Sequence, residues 1–364
     1  MLPVSARLIA ALAKPQKRVT KVTYTTPGGA EVSLRFKRGS INMDSTSRIR
    51  RRGTVRVYDE QVDFSDVTTP GTIFRVQHGL TFAGVAEPET PYVICGVLNK
   101  ATAPLGGKAG ELTLPLVDLA SWVEECRFVE PYAPADGTTR IAAIQAIVAA
   151  ALPTVTFQVT ATDTGTVQSG QLFTGSRLDA ISTLTSDGGT EAFFLADGTY
   201  LIRNQASFTD TPAMTVRGLL IDGENYRERP MDKTYNMVVA TPSASDGSQT
   251  WTQQVAKITD TTDPRHESKI GPRPYFLPMP TAKTEAAALH GAQARLERLK
   301  GTAENLSLAI VGNPALEGGD MLVIVVPAVG DEPARTYRHM LDAASLDLNT
   351  GKMPLDTRSQ EVSY

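Results

Sequence analysis

From Thr284 to Arg358 the hydrophobic period changes once and sharply, and this change constrains the fold more than any other feature. The run TEAAALHGAQARLERLKG places Leu289, Ala292, Leu296 and Leu299 on one side of a helix, with Gly301 just beyond its end. Arg295, Arg298 and Lys300 gather near the C-terminal end, where the helix dipole favours cations. The runs AENLSLAIVGNPALEGGDMLVIVVP and RTYRHMLDAASLDLNTGKMPLDTRS then read as short strands, broken by a turn at Gly318-Gly319-Asp320. Strong structural signals without a catalytic motif are the pattern of a module built to sit in an assembly.

The first third of the chain is also β. Val32, Leu34 and Phe36 alternate with Ser33, Arg35 and Lys37, the period of a half-buried strand, and Pro27-Gly28-Gly29 supplies a turn before it. Further strands are predicted at Arg48 to Tyr58, Ile73 to Val76, Tyr92 to Leu98 and Glu111 to Leu116. Short strands with frequent turns imply a barrel or sandwich.

The character changes at Asp118, which reads as an N-cap ahead of Leu119, Ala120, Val123 and Cys126 at helical spacing. Thr138 or Thr139 caps a second helix with Ile141, Ile144, Val148 and Ala151 on one stripe and Pro153 as its stop. Ser176 opens a third helix, with Leu178, Ile181 and Leu184 inward and Gly188-Gly189 at its end. EAFFLADGTYLIR is a hairpin turning at Asp197-Gly198. Strands return from Met214, in TVRGLLI, TYNMVVAT and SQTWTQQVAKI. Asp260 to Lys283 holds Pro264, Pro272, Pro274, Pro278 and Pro280, a density that forbids a long helix or central strand and predicts an extended arm. No internal repeat is sharp, but the chain has a loose echo: β-rich, helical, then β-rich again.

The 364 residues, 41% hydrophobic and 21% charged, suit a globular chain of two or more domains. A net charge of −3 gives no global reason to expect a nucleic-acid binder. Cys95 and Cys126 are too few for a disulfide framework, lack CxxC spacing and read as reduced packing residues. At the N-terminus, Leu8, Ile9, Ala11 and Leu12 predict a short amphipathic helix ending before Pro15, and no cleavage site follows. No stretch approaches the roughly 20 apolar residues of a membrane span.

Chemistry is sparse. His78, His266, His290 and His339 are scattered, with no HExxH pair, no GxSxG elbow and no phosphate-binding loop, and His290 reads as a solvated helix residue. Turn conformation accounts for the pairs Gly28-Gly29, Gly106-Gly107, Gly188-Gly189 and Gly318-Gly319. Glu124 and Glu125 are helix neighbours that do not face each other. DTTDPRHES, with Asp260, Asp263 and His266, lacks regular ligand spacing. Neither a catalytic residue, a cofactor nor a metal ligand is expected. The basic run SRIRRRGTVRVY is the sharpest local signal. On a strand, Arg50, Arg52 and Arg56 share one face with Thr54 and Tyr58, while Ile49, Arg51, Gly53, Val55 and Val57 share the other. That stripe is either an exposed polar face over a core face or a contact surface for an acidic partner.

Taken in chain order, the segments resemble a known family. LPVSARLIAALAKPQKRVTKVTY leads to KRGSINMDSTSRIRRRGTVRV, then LPLVDLASWVEECRFVEP and SGQLFTGSRLDAISTLTSDGGTEAFFLADGTYLIR. MDKTYNMVVAT, NPALEGGDMLVIVVP and LDLNTGKMPLDTRS follow. Their order resembles the tail hub, or baseplate hub, proteins of tailed bacteriophages, including hub-type minor tail proteins of long-tailed phages, over most of the chain.

The resemblance implies an α+β, mainly β chain with two tube-type β-barrel domains, a small α+β accessory domain and a helix-plus-arm insertion. In this sequence they fall at 1–18 (N-terminal short helix or arm), 19–117 (first barrel), 118–205 (accessory domain), 206–260 with 303–364 (second barrel) and 261–302 (Pro-rich arm and helix). It further implies a non-enzymatic homotrimer that adapts the sixfold tail tube or distal tail ring to a threefold tip or spike. Its partners would be the distal tail protein, the central tip or spike protein and the tape measure protein. Genomic DNA would pass through the lumen without specific binding. Such a protein works in the virion tail tip after assembly in the host bacterial cytoplasm. Two other readings stand beside it: the hub of a phage-derived contractile injection system, and a tail-associated cell-wall hydrolase.

Overall fold

The computed structural model describes residues 1–14, 17–58, 64–100, 111–217, 220, 226–228, 234–242, 252–279, 284–300, 304–326, 328 and 334–359. Pro15, Gly106-Gly107, Pro280 and Gly301, read above as stops and turns, lie outside the described residues.

A short helix α1 (Ala6–Ala11) comes first, with the Ser5 hydroxyl accepting the Leu8 amide as its cap. Strands β1 (Arg18–Thr25), β2 (Glu31–Leu34), β3 (Phe36–Asp44) and β4 (Arg51–Val57) precede a short helix α2 (Phe64–Thr68). Strands β5 (Ile73–Leu80), β6 (Tyr92–Leu98) and β7 (Leu112–Asp118) follow it. Next come α3 (Ala120–Glu125), α4 (Arg140–Ala151), β8 (Phe157–Val159), α5 (Arg177–Gly188), β9 (Thr190–Phe194) and β10 (Tyr200–Asn204). The remainder is β11 (Met214–Val216), β12 (Tyr226–Glu228), β13 (Met237–Pro242), β14 (Gln254–Lys257), α6 (Glu267–Ile270), β15 (Pro274–Met279) and α7 (Glu285–Lys300), then β16 (Glu304–Val311), β17 (Met321–Val326), β18 (Arg335–Asp347) and β19 (Lys352–Ser359).

The chain is mainly β with a smaller helical part, as the resemblance implies. Its main body is one 13-stranded sheet in which β5–β6–β7 form a meander whose last strand pairs back onto β4. The same order recurs in the C-terminal half, where β17–β18–β19 form a meander and β19 pairs back onto β16. Each half curls toward its own start. Only Arg35 separates β2, paired with β1, from β3, paired with β4. In the second half β11 pairs β17, Leu220 bridges Ile310 and β12 pairs β16.

The halves are not two separately closed barrels. Among the described residues the pairing path stays open, and β18 joins β3 to make one sheet. The cause is strand length: β18 has 13 residues, and Arg335 to Met340 are used by β17, so Ala343 to Asp347 run on to pair with Asp44 to Ser40. One hydrophobic core serves both halves, drawing Val55, Phe74, Ile94 and Leu114 from the first and Leu308, Ile324, Leu341 and Leu355 from the second. Each such side chain contributes roughly 1.5–3 kcal/mol when fully buried.

The α+β part has its own core of Val123, Ile144, Ile147, Leu184, Phe194 and Ile202. Thr139 caps α4 by accepting the Ala142 amide, and Gly189 ends α5 in the left-handed region at φ 58°. The buried side of α4 is Ala143, Ile144, Ile147 and Val148, rotated from the predicted stripe because Ile141 and Ala151 lie at its margin. Asp118 ends β7 rather than occupying the cap position of α3, although its Oδ1 does accept the Ala120 amide. The β9–β10 hairpin turns at Gly198, φ 93°, as Asp197-Gly198 predicts.

A third core forms where β14–β13–β15 pack against α7 through Val238, Ala240, Ala256, Met279, Ala288, Ala292 and Leu296. Strands β13 and β14 thus sit in a small sheet apart from the large one. The Pro-rich segment supplies β15, an edge strand parallel to β13, where Pro274 and Pro278 are tolerated.

Candidate functional site

Strand β4 is where the chain's charge and its architecture meet. Its burial alternates strictly: Arg51, Gly53, Val55 and Val57 face the core, while Arg52, Thr54 and Arg56 face away. Across the seam between the halves, neighbouring strands continue the outward face. Arg56 stands between Arg38 and Thr113, Thr54 between Ser40 and Pro115, and Asn42 between Arg52 and Ser345. Asp347 opposes Ser40, while Lys352, Pro354 and Asp356 extend the face along β19. The face is polar, and its core side is Leu114, Val55, Ile41, Leu346 and Leu355.

Glu111 anchors the basic end of this face. Lys37 Nζ lies 3.0 Å from its Oε2, Arg38 Nη2 3.1 Å and Arg56 Nη1 2.6 Å from its Oε1. Donation by Lys37, Arg38 and Arg56 holds the Glu111 carboxyl down at about 2.

The core side carries a buried ionic junction. Arg51, 3% exposed, pairs with Glu317, also 3% exposed, and its Nη1 donates to the Phe194 carbonyl at 3.1 Å. One side chain therefore ties β4 to the loop before β17 and to β9. The Arg51 backbone amide donates to Asp118 Oδ2 at 2.8 Å. Burial pushes the Asp118 carboxyl up to about 6, against the pull of the Arg51 and Ala120 amides. Beside it, Glu191 accepts from Arg50 Nη2 at 2.7 Å and from Arg203 Nε at 2.6 Å, and Arg203 also reaches the Gly318 carbonyl.

The arginines expected on one stripe thus divide. Arg52 is exposed and Arg56 half-exposed on the polar face, whereas Arg50 is 7% exposed and held by Glu191. Alternation fails at Arg50 because β4 begins at Arg51, so Arg50 lies outside the strand's period. Arg51 falls on the core side, as the alternation implies. Glu111, Glu191 and Glu317 carried no sequence signal, since each acts through a partner distant in the chain.

The remaining candidates are placed as follows. His78 and His339 are buried, His266 caps α6, and His290 is exposed on α7. Asp263 pairs with Arg265 and Asp260 accepts from Thr262, so both carboxylates are engaged within their loop. Glu124 accepts from the Ser176 hydroxyl. Among the described residues no group of three or more His, Cys, Asp or Glu is placed to hold a metal ion, and no helix is long and apolar enough to cross a membrane.

Solved structures share this architecture along nearly the whole chain. A tail protein from Neisseria meningitidis superposes with a TM-score of 0.63 at 15% identity, covering 93% of this chain and 96% of its own. The fold is that of a phage tail protein. The 43 kDa tail protein of prophage MuSo2 from Shewanella oneidensis shares the tail-protein fold at a TM-score of 0.59 and 12% identity, with 93% and 98% covered. The prophage tail protein gp18 from Listeria monocytogenes does so at 0.55 and 9%, with 94% and 95% covered. No protein-family model matches the sequence, and no curated protein matches it significantly. At 9–15% identity the likeness is one of fold.

Proposed function

We propose that this chain is a non-enzymatic structural hub of a bacteriophage tail tip. Three copies form a ring that adapts the sixfold tail tube and distal tail ring to a threefold tip or spike, and the ring leaves a channel for DNA. The observation that carries this reading is the repeated strand order: β4–β7–β6–β5 in one half and β16–β19–β18–β17 in the other, fused by β3–β18. A chain with two like β modules presents two quasi-equivalent units, so threefold closure of the chain yields six.

The first module is the 19–117 segment. The second is formed by β11, β12 and β16–β19, with the β13–β15 sheet and α7 as an appendage. The polar face across the seam suits a channel wall, because Arg38, Arg52, Arg56 and Lys352 are interspersed with Glu111, Asp347 and Asp356. A mixed wall does not trap a polyanion as a uniformly basic one does. Arg52 remains available on that face for a neighbouring subunit or tail protein, while Arg56 is held by Glu111. The tape measure protein and the distal tail protein are the partners this reading requires, in a virion assembled in the bacterial cytoplasm.

Light scattering coupled to size exclusion, with negative-stain microscopy of the peak, tests the reading. A ring of three chains, alone or with the co-expressed distal tail protein, is the expected outcome. A strict monomer at every concentration and with every tail partner overturns it.

A further inference from the structure

We propose that the cleft beside Val97–Lys100 receives strand β12 of a second copy of this chain, antiparallel to β6, so that the joint between copies repeats the β3–β18 joint within one. The inference rests on the three-copy ring and names the surfaces that close it.

Strand order is the first observation. β3–β4–β7–β6–β5 in the first half and β12–β16–β19–β18–β17 in the second run through matching neighbours, antiparallel at every step. β12 thus corresponds to β3, and β18 to β6. Inside the chain β18 outruns β17 and takes β3 on the same edge. β6 likewise outruns β5. Its pairing with β5 ends at Gly96, whereas pairing with β7 continues to Leu98 and the Asn99 amide donates to the Pro115 carbonyl. Alternation then turns the backbone amides and carbonyls of Leu98 and Lys100 the other way. Among the described residues no strand takes that edge. A cleft of about 420 Å3 lies there, lined by Leu98, Asn99 and Lys100 with Thr69, Thr72 and Trp122. Burial falls off with the pairing: Val93 to Gly96 are buried, Val97 and Leu98 half-buried, Asn99 and Lys100 exposed.

β12 is the matching piece, because it ends the pairing path and is bonded to β16 on one edge only among the described residues. An open edge is a template for an added strand. A joint from β12 of one copy to β6 of the next is head-to-tail, the kind that closes into a ring.

The register follows from the same correspondence. Pairing with β17 ends at Met340 and with β5 at Gly96, and these residues oppose Arg358 and Asp118. Counting on from there, Glu228 matches Met43 and Arg227 matches Asn42. Beyond the bulge in β18, Ala344 opposes Leu355 as Asn99 opposes Pro115, and Ala344 also opposes Met43. Asn99 is therefore set opposite Glu228 of the second copy, and Lys100 opposite Arg227 of the second copy.

Cysteine cross-linking of the full chain tests the joint, alone and with the co-expressed distal tail protein. Asn99 bonds toward β7, so its pair with Glu228 is the closer, non-hydrogen-bonded kind, with Cα atoms about 4.5 Å apart and within disulfide reach. Under mild oxidation, Asn99→Cys with Glu228→Cys should give disulfide-linked trimers on a non-reducing gel. The single variants, which control for Cys95 and Cys126, should not. Nor should Asn99→Cys with Arg227→Cys, whose side chains lie on opposite faces. Lys100→Pro changes an exposed residue and removes an amide aimed at the cleft. Light scattering should show its half-assembly concentration raised about tenfold or more, with the melting of the dilute monomer unchanged. Trimers that form without the Asn99→Cys and Glu228→Cys link, or that Lys100→Pro leaves unchanged, overturn this joint while the ring stands. A strict monomer at every concentration and with every tail partner overturns both.

Discussion

Two buried titratable side chains set opposing pH responses. His78 is fully buried on β5, its Nδ1 2.9 Å from the Thr20 hydroxyl. Burial, with Arg18 nearby adding repulsion, pushes its pKa down to about 4, and Asp347 only partly opposes this. The fold thus holds a neutral imidazole, whereas the unfolded chain protonates near the ordinary value of 6.5. As pH falls from 6.5 to 4 the unfolded state takes up a proton the folded state refuses. Stability is lost through that window, by on the order of 3 kcal/mol in total. Asp118 works in reverse: with its folded pKa raised to about 6, the folded state holds a proton between about 6 and 4 that the unfolded carboxylate lacks, so its contribution is lost as pH rises. The two partly cancel in the wild type, so the variant is the informative comparison. His78→Gln keeps a partner for Thr20 and removes the titration. Urea melts of His78→Gln and wild type should converge or cross as pH drops from 7 to 4, in favour of the variant. A difference that stays constant with pH removes His78 as the source. Neither burial nor shift was read from the sequence, where His78 was one of four scattered histidines: the predicted strand stopped at Val76, two residues short of the inward position that His78 takes after Phe74 and Val76.

Local chemistry fixes single elements, and helix α5 shows how much. Ser176 accepts the Leu178 and Asp179 amides, donates its hydroxyl to Glu124 at 2.7 Å, and Gly189 closes the other end in the left-handed region. Ser176→Ala should cost about 1 kcal/mol for the lost cap. The freed Glu124 carboxylate adds to that loss, so the shift in denaturation midpoint should exceed that of Thr139→Ala, whose cap has no such second bond. Equal shifts, or none at Ser176, would remove the cap as the anchor of α5. These elements were legible because caps, stripes and the Asp197-Gly198 turn act over a few residues. The strands of the first half were legible by alternation for the same reason. Pairing was not: β13 and β14 read as more of the second β module, yet β13 pairs with β14 on one side and on the other with β15, whose two prolines hide a strand that needs only one bonded edge. The exception within β4 is equally physical, since period 2 extends only as far as the strand and Arg50 lies one residue before it.

At the scale of the whole molecule, the two β halves are held together by the β3–β18 ladder, a common core and the Arg51–Glu317 pair. The ion pair is the component most sensitive to a single change. Both partners have left water, so their attraction is largely spent against desolvation, and the pair adds little net stability over an apolar filling. Breaking it is a different matter. Glu317→Gln leaves the Arg51 charge in the core with its remaining bonds to the Phe194 carbonyl and the Met43 sulfur. The expected cost is about 3–5 kcal/mol. The double variant Arg51→Met with Glu317→Leu removes both charges at similar volume and should recover most or all of it. Equilibrium unfolding in guanidinium decides, with hydrogen exchange locating the loss. Protection in Glu317→Gln should fall together in β4, β9 and β17, because one guanidinium serves all three. If protection falls in β17 alone while β4 and β9 keep theirs, the halves are separable units and the junction is a local contact. If the double variant is no more stable than Glu317→Gln, the charges themselves, rather than the room they fill, are what the junction requires.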